Sequence, residues 1–160
     1  DHGIAVMFAR EQFGLRGDLQ SDSASVYPLT RSLATLPGLR FMRDPTRGGL
    51  ATVMHEIAHA TGLGIQLRES AIPVRDPVAS VCEMLGYDPM YLACEGRAVA
   101  VVAAAEAAQA LALWQALPTG KNSATIGHVH QDSHHVRLET GLGGQRVLEE
   151  LEDDPLPRIC

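Results

Sequence analysis

Basic stripes, long apolar runs, aromatics and paired cysteines are all scarce in these 160 residues, and each scarcity removes a class of function. Lysine and arginine number 13 against 19 aspartates and glutamates, a net charge of −6 with a pI near 5.6. Aromatics make up 4%. No Lys/Arg stripe with interleaved aromatics is present to follow a phosphate backbone and stack bases, which argues against a nucleic-acid surface. The apolar run from Val99 to Ala112 is broken by Glu106 and Gln109, short of the roughly 18 to 20 apolar residues that cross a bilayer. A soluble chain is expected. Three cysteines, an odd number, do not read as a disulfide framework and suggest a reducing, cytoplasmic setting. The chain opens on Asp1 rather than Met with no leader pattern before it, so a piece of a longer protein is expected.

What is present is enough apolar material, 46% of residues, for one buried core. Val26, Leu29, Leu33 and Leu36 recur at helical spacing, predicting a helix from Ser23 to Leu36 that stops at Pro37-Gly38. Leu39 to Arg43 reads as a strand. The polar turn Asp44-Pro45-Thr46-Arg47-Gly48-Gly49 opens a helix lasting to Thr61-Gly62, and an alternating strand follows at Leu63 to Leu67. A helix from Asp76 to Leu85, a strand from Ala98 to Ala103 and an alanine-rich helix from Glu106 to Leu117 come next. Ala124 to Gln131 with Val136 to Thr140 suggests a hairpin. This order predicts a layered α/β or α+β domain over residues 1–150, with an antiparallel hairpin at one end. From Glu149 the chain turns acidic, and Pro155 and Pro157 break helix and ladder hydrogen bonds, predicting an extended mobile tail over 151–160.

Three constellations could carry chemistry. In the Asp44 to Gly49 turn, Thr46 is a candidate N-cap and Gly48 and Gly49 fall in the first helical turn. Free N–H groups there suit a phosphate, while glycines chosen for close packing at a capped helix explain the same residues. His55-Glu56-Ile57-Ala58-His59 matches the zinc-peptidase pattern His-Glu-x-x-His. Yet Leu50, Met54, Ile57, Ala58 and Thr61 share one helix face and Thr52, His55, Glu56 and His59 the other, which describes a solvated polar face. The only acid at a tempting distance for a third ligand is Glu83, and no metal ligand is assigned. His128 and His130 share a strand face, with His134 and His135 at the expected hairpin turn; a polar face and turn explains them better than adventitious nickel or zinc.

Cysteines follow the same sorting. Cys82, within a helix, and Cys94, after Met90-Tyr91-Leu92-Ala93, read as small buried hydrophobes. Cys160, the last residue, sits on the proline-stiffened tail, where a thiol becomes a swinging arm; it is not a prenylation box, which places the cysteine fourth from the end. Its thiolate is opposed by the α-carboxylate on the same residue, so activation is expected from a pocket or partner.

Asp1-His2-Gly3-Ile4-Ala5-Val6, Asp44-Pro45-Thr46-Arg47-Gly48-Gly49-Leu50-Ala51, Tyr91-Leu92-Ala93, Glu95-Gly96 and the ending Pro157-Arg158-Ile159-Cys160 resemble the HypE family of hydrogenase maturation proteins. That family lies in the superfamily of aminoimidazole ribonucleotide synthetase and selenophosphate synthetase. The resemblance covers essentially the whole chain and matches it to the C-terminal half of such a protein. It implies a C-terminal synthetase-like domain, a mixed sheet packed with helices, and a carbamoyl dehydratase activity. A carbamoyltransferase partner, HypF, would load Cys160, and ATP-dependent dehydration would convert the thiocarboxamide to a thiocyanate. The cyano group would then pass to iron on a HypC-HypD scaffold as a ligand of [NiFe]-hydrogenase.

Carried over residue by residue, the resemblance makes Cys160 the carrier and Glu95 the candidate for binding the carbamoyl amide or taking its proton. Thr46, Arg47, Gly48 and Gly49 would face the phosphates and Asp44 would order their loop. ATP, Mg²⁺ and the homodimer contact are expected mainly from an N-terminal domain. Asp1 and His2 match a motif near the domain junction. Cys94 stands where the family leads one to expect Asn, and His55 and His59 where Asn and a variable polar residue are expected, which favours an accidental His-Glu-x-x-His match. A zinc peptidase and a non-catalytic docking domain are the alternatives.

Overall fold

The computed structural model describes residues 1–11 and 19–151. Its helices are α1 (His2–Glu11), α2 (Tyr27–Leu33), α3 (Gly49–Thr61), α4 (Asp76–Leu85) and α5 (Ala107–Gln115). Its strands are β1 (Leu39–Arg43), β2 (Gly64–Arg68), β3 (Val99–Val102), β4 (Gly127–His130), β5 (Val136–Glu139) and β6 (Gln145–Val147). β1 and β3 form an antiparallel pair, and the other four make a mixed sheet in the order β4-β2-β5-β6. This is the α+β arrangement of helices on a mixed sheet that the family resemblance implied.

Strand chemistry sets the order of the larger sheet. β2 contributes Ile65 and Leu67 and β5 contributes Val136 and Leu138, all at most 2% exposed. The polar strands β4 and β6 take the edges, where one side of the ladder stays in water. The expected hairpin between Ala124–Gln131 and Val136–Thr140 is therefore wrong in its pairing. β2 inserts between β4 and β5, antiparallel to the first and parallel to the second. The hairpin lies one step later, β5 to β6, around a turn where Gly143 has φ 83°.

Three cores result. α3 lies on the large sheet, with Ala51, Val53, Met54, Ile57 and Ala58 meeting Ile65, Leu67, Val136, Leu138 and Leu148. α1 packs on α4 through Ile4, Met7, Val78, Val81 and Cys82, closed by Leu92 and Ala93. Leu33, Leu36 and Ala110 bring α2 and α5 together with Leu39, Met42, Ala100 and Val102 of the small sheet. Cys82, 2% exposed, is the small buried hydrophobe expected.

The helix predicted from Ser23 is shorter. Residues before Tyr27 follow another course, because Ala24 donates its N–H to Glu95 O at 3.4 Å and Asp22 takes backbone N–H groups from His2 and Glu95. The 151–160 tail lies, beyond Leu151, outside the described residues. Its root does not: Leu148 is fully buried and donates its N–H to Val136 O at 2.8 Å.

Two leucines four residues apart test the sheet. Leu138→Ala, at 0% exposure, is expected to lower unfolding free energy by about 2–5 kcal/mol in urea titrations. Leu142→Ala, at 101%, is expected to change it by less than about 0.5 kcal/mol.

Candidate functional site

The turn entering α3 is held by backbone. Strand β1 ends at Arg43, and Pro45 O then accepts the N–H of Cys94 at 3.0 Å. Thr46 O accepts the N–H of Gly49 at 3.3 Å. Gly48 and Gly49 both adopt left-handed backbone, φ 69° and 63°, which side-chain-bearing residues enter only at a cost. A Cβ on Gly49 would stand 2.7 Å from the carbonyl oxygens of Met90 and Leu92. The segment preceding Glu95 therefore lies directly on the glycine turn.

Thr46 is not the N-cap. That position falls to Gly48, and no side chain caps α3. Beyond the Gly49 N–H, which Thr46 O accepts, the first-turn N–H groups meet no side-chain cap and lie in the field of the helix dipole, an arrangement that suits phosphate oxygens. Arg47 is exposed and has no ion-pair partner among the described residues. Asp44 is also exposed and makes no hydrogen bond there, so the loop is ordered by the Pro45 and Thr46 carbonyls rather than by its carboxylate. Glu95 is exposed, its N–H given to Asp22 Oδ1 at 3.2 Å.

Behind Glu95 lies a charge network that sequence reasoning missed. Asp1, with its side chain 8% exposed, meets Arg75 Nε at 3.1 Å and Arg97 Nη2 at 2.9 Å. Arg97 Nε also lies 3.2 Å from Asp22 Oδ2, off the hydrogen-bond line, so that oxygen is charge-paired but accepts no hydrogen bond. Two buried carboxylates shared between two arginines fix the segment 95–97. The partners stand up to 96 positions apart, and only the Asp1-His2 motif drew attention to any of them.

Next to this region opens a cleft of about 880 Å³, lined among others by Leu33, Val99, Val101, Trp114 and Ile126. Its walls are mostly hydrocarbon, with Arg75, Arg97, Lys121 and His128 also lining it. Cys94 is half-buried, and burial pushes its thiol, like that of Cys82, above the ordinary range.

The His-Glu-x-x-His helix does not build a peptidase. Glu56, which would activate water, is ion-paired with Arg43. His55 Nε2 bonds Leu148 O at 2.8 Å. The acid that approaches is Glu150 rather than Glu83, with Oε2 3.6 Å from His59 Nε2. His128 and His130 do share a face, ring centroids 5.9 Å apart. His134 and His135 lie in the crossover from β4 to β5 and not in a hairpin turn, and His134 is bonded to Gly62 O.

The tail root passes beside the turn. Tyr91 donates its hydroxyl to Glu149 O at 2.8 Å, and a Cβ on Gly48 would stand 3.4 Å from Leu151 Cδ2. Cys160 lies outside the described residues, so its place relative to Glu95 and Gly48 is not described.

Residues 1–138 match the family model "AIR synthase related protein, C-terminal domain". The chain is 44% identical to the "Carbamoyl dehydratase HypE" of Azotobacter vinelandii and 45% to that of Cupriavidus necator, in each case over all of this chain. It covers 48% and 46% of those two proteins and so spans about half the length of the curated relatives it matches. Among solved structures it superposes on Escherichia coli HypE with a TM-score of 0.92 at 45% identity, covering 99% of this chain and 49% of that one. A HypE in complex with ATP matches at TM-score 0.89 and 38% identity, over 97% of this chain and 49% of that one. A HypE-HypF complex matches at 0.90 and 39%, over 94% and 50%.

Gly49→Ala is expected to cost about 1–2 kcal/mol for left-handed backbone and about 1–3 kcal/mol more for displacing the Met90 and Leu92 backbone. Gly86→Ala, with φ 73° and nothing within 4 Å, carries the first cost alone; equal urea midpoints for the two variants would deny the close approach. Because the raised thiols ionise only at higher pH, Cys82 and Cys94 should react with iodoacetamide at pH 8 more slowly than cysteine in a peptide. Site-resolved mass spectrometry measures those rates.

Proposed function

The chain belongs to the AIR synthase related proteins through their C-terminal domain, and on that premise we propose that it is the tail-bearing half of a HypE-type carbamoyl dehydratase. The observation that carries this reading is the delivery of the tail root to the uncapped glycine turn: Leu151 packs at Gly48 while Glu95 follows the segment that Gly49 admits. The nine residues from 152 to 160 can reach at most about 30 Å, enough to present Cys160 to a partner or to the turn from which it starts.

In this reading HypF loads a carbamoyl group on Cys160, as the HypE-HypF complex among the matches supports. The thiocarboxamide oxygen then attacks the γ-phosphorus of ATP and ADP departs. Amide oxygen is a poor leaving group and phosphate a good one. As the two nitrogen protons are lost, one with help from Glu95, the nitrogen lone pairs close the C≡N bond, the C–O bond breaks and phosphate leaves. The product is a thiocyanate on Cys160. Arg47 and the first N–H groups of α3 stabilise the charge on the phosphoryl oxygens. The cyano group goes on to iron held by HypC-HypD, in the cytoplasm.

A HypE-ATP complex among the matches supports the nucleotide. Magnesium is another matter. Asp1 and Asp22 face Arg75 and Arg97, and Asp44 stands alone on the surface, so these three carboxylates do not make a magnesium site. We assign Mg²⁺, most of the ATP contacts and the homodimer contact to the length that the relatives have beyond this match.

The test is mass spectrometry of the full-length protein incubated with HypF, carbamoyl phosphate and ATP. A carbamoyl adduct on Cys160, replaced by a cyano adduct when ATP is added, is the expected result; either adduct persisting in Cys160→Ala would sink the assignment. Nucleotide titration in parallel separates half a catalytic site from a docking domain, since the catalytic reading requires Arg47→Ala to weaken ATP binding by the full-length protein.

A further inference from the structure

We propose that His55, His59 and Glu150 form a divalent transition-metal site of the zinc class, which clips the root of the C-terminal tail to helix α3. The inference does not rest on the dehydratase reading. Two histidines four residues apart stand on one face of α3, ring centroids 6.0 Å apart. Glu150 comes from the opposite direction, on the segment leaving β6. One ligand atom from each of the three lies within 4.8 Å of the other two.

The spacing suits an ion better than a direct bond. His59 Nε2 and Glu150 Oε2 are 3.6 Å apart, too long for a charge-assisted hydrogen bond, which closes to about 2.8 Å. Two ligand atoms each about 2.1 Å from a tetrahedral zinc are separated by about 3.4 Å. The remaining contraction needs only side-chain rotation, because His59 and Glu150 are both exposed.

The surroundings agree. The Leu148 carbonyl can only accept, so the 2.8 Å bond puts the proton of His55 on Nε2 and leaves the lone pair on Nδ1. A ligating histidine is commonly held in this way, its second nitrogen donating to a backbone carbonyl. Two imidazoles and a carboxylate match zinc and its first-row neighbours rather than calcium or magnesium. Glu56 does not join them, being paired with Arg43, so the site binds without the base that hydrolysis would need. Its consequence is mechanical: an ion bridging α3 to Glu150 fixes the residue just ahead of the tail.

The test is zinc titration, against a chromophoric chelator, of the full-length protein free of any histidine tag. One zinc is expected, with His59→Ala and Glu150→Gln each weakening its binding at least roughly tenfold, the lower bound seen when even supporting residues are removed. His128→Ala is expected to leave it unchanged. Zinc should also slow cleavage after Glu149 and Glu150 by a glutamate-specific protease in the parent protein and not in His59→Ala. No zinc uptake, uptake unchanged in both ligand variants, uptake lost in His128→Ala, or cleavage indifferent to zinc would each overturn the proposal.

Discussion

One atom's absence organises the site. The missing Cβ of Gly49 lets the backbone of Met90 and Leu92 come to 2.7 Å of where that atom would be, and the contact fixes two things at once. It sets the start of α3, leaving a helix end with no side-chain cap, and it brings the segment bearing Glu95 alongside. The Cys94 to Pro45 hydrogen bond, 3.0 Å, locks the same pair of segments one step further out. An anion site needs donors already oriented before the anion arrives, since reorganisation would consume the binding energy. In the anion site proposed above the donors would be backbone, held by backbone.

The second organising contact is the burial of Leu148. With no exposure, it anchors the end of the sheet against α3, and its carbonyl and that of Glu149 take hydrogen bonds from His55 and Tyr91. If Cys160 is the carrier proposed above, the local concentration of its thiol depends on how well the attachment point is fixed. Anchoring at Leu148 and contact at Leu151 place the end of the described residues beside the glycine turn.

What was legible in the sequence was mostly local. β1 and α4 occupy the expected residues, since alternation and helical spacing are carried within each segment. The family motifs marked the glycine turn and Glu95 as neighbours in function, and the structure makes their segments neighbours in space. Pairing was not legible: nothing within Ala124–Thr140 says that β2 inserts there, because that order comes from burying Ile65, Leu67, Val136 and Leu138 together. Thr46 satisfied the usual capping preference, yet the backbone contact at Gly49 overrode it. Glu150 and the Asp1, Asp22, Arg75 and Arg97 network are long-range partners, which spacing along a chain cannot reveal.

The same helix then serves two demands that would conflict if they were closer. A phosphate at the N-terminus of α3 benefits from the helix dipole within the first turn and little beyond it. His55 and His59 lie six and ten residues from Gly49, about 9 and 15 Å along the axis, a separation comparable with the roughly 8 Å over which charges on an exposed surface are screened at physiological ionic strength. A dication held by His55, His59 and Glu150 would therefore reach a phosphate at the turn only as a screened charge. It would act through Glu150, by restricting where the arm begins. On the two proposals together, α3 would carry the phosphate at its first turn and the start of the tail along its polar face, so that one rigid element would set both positions.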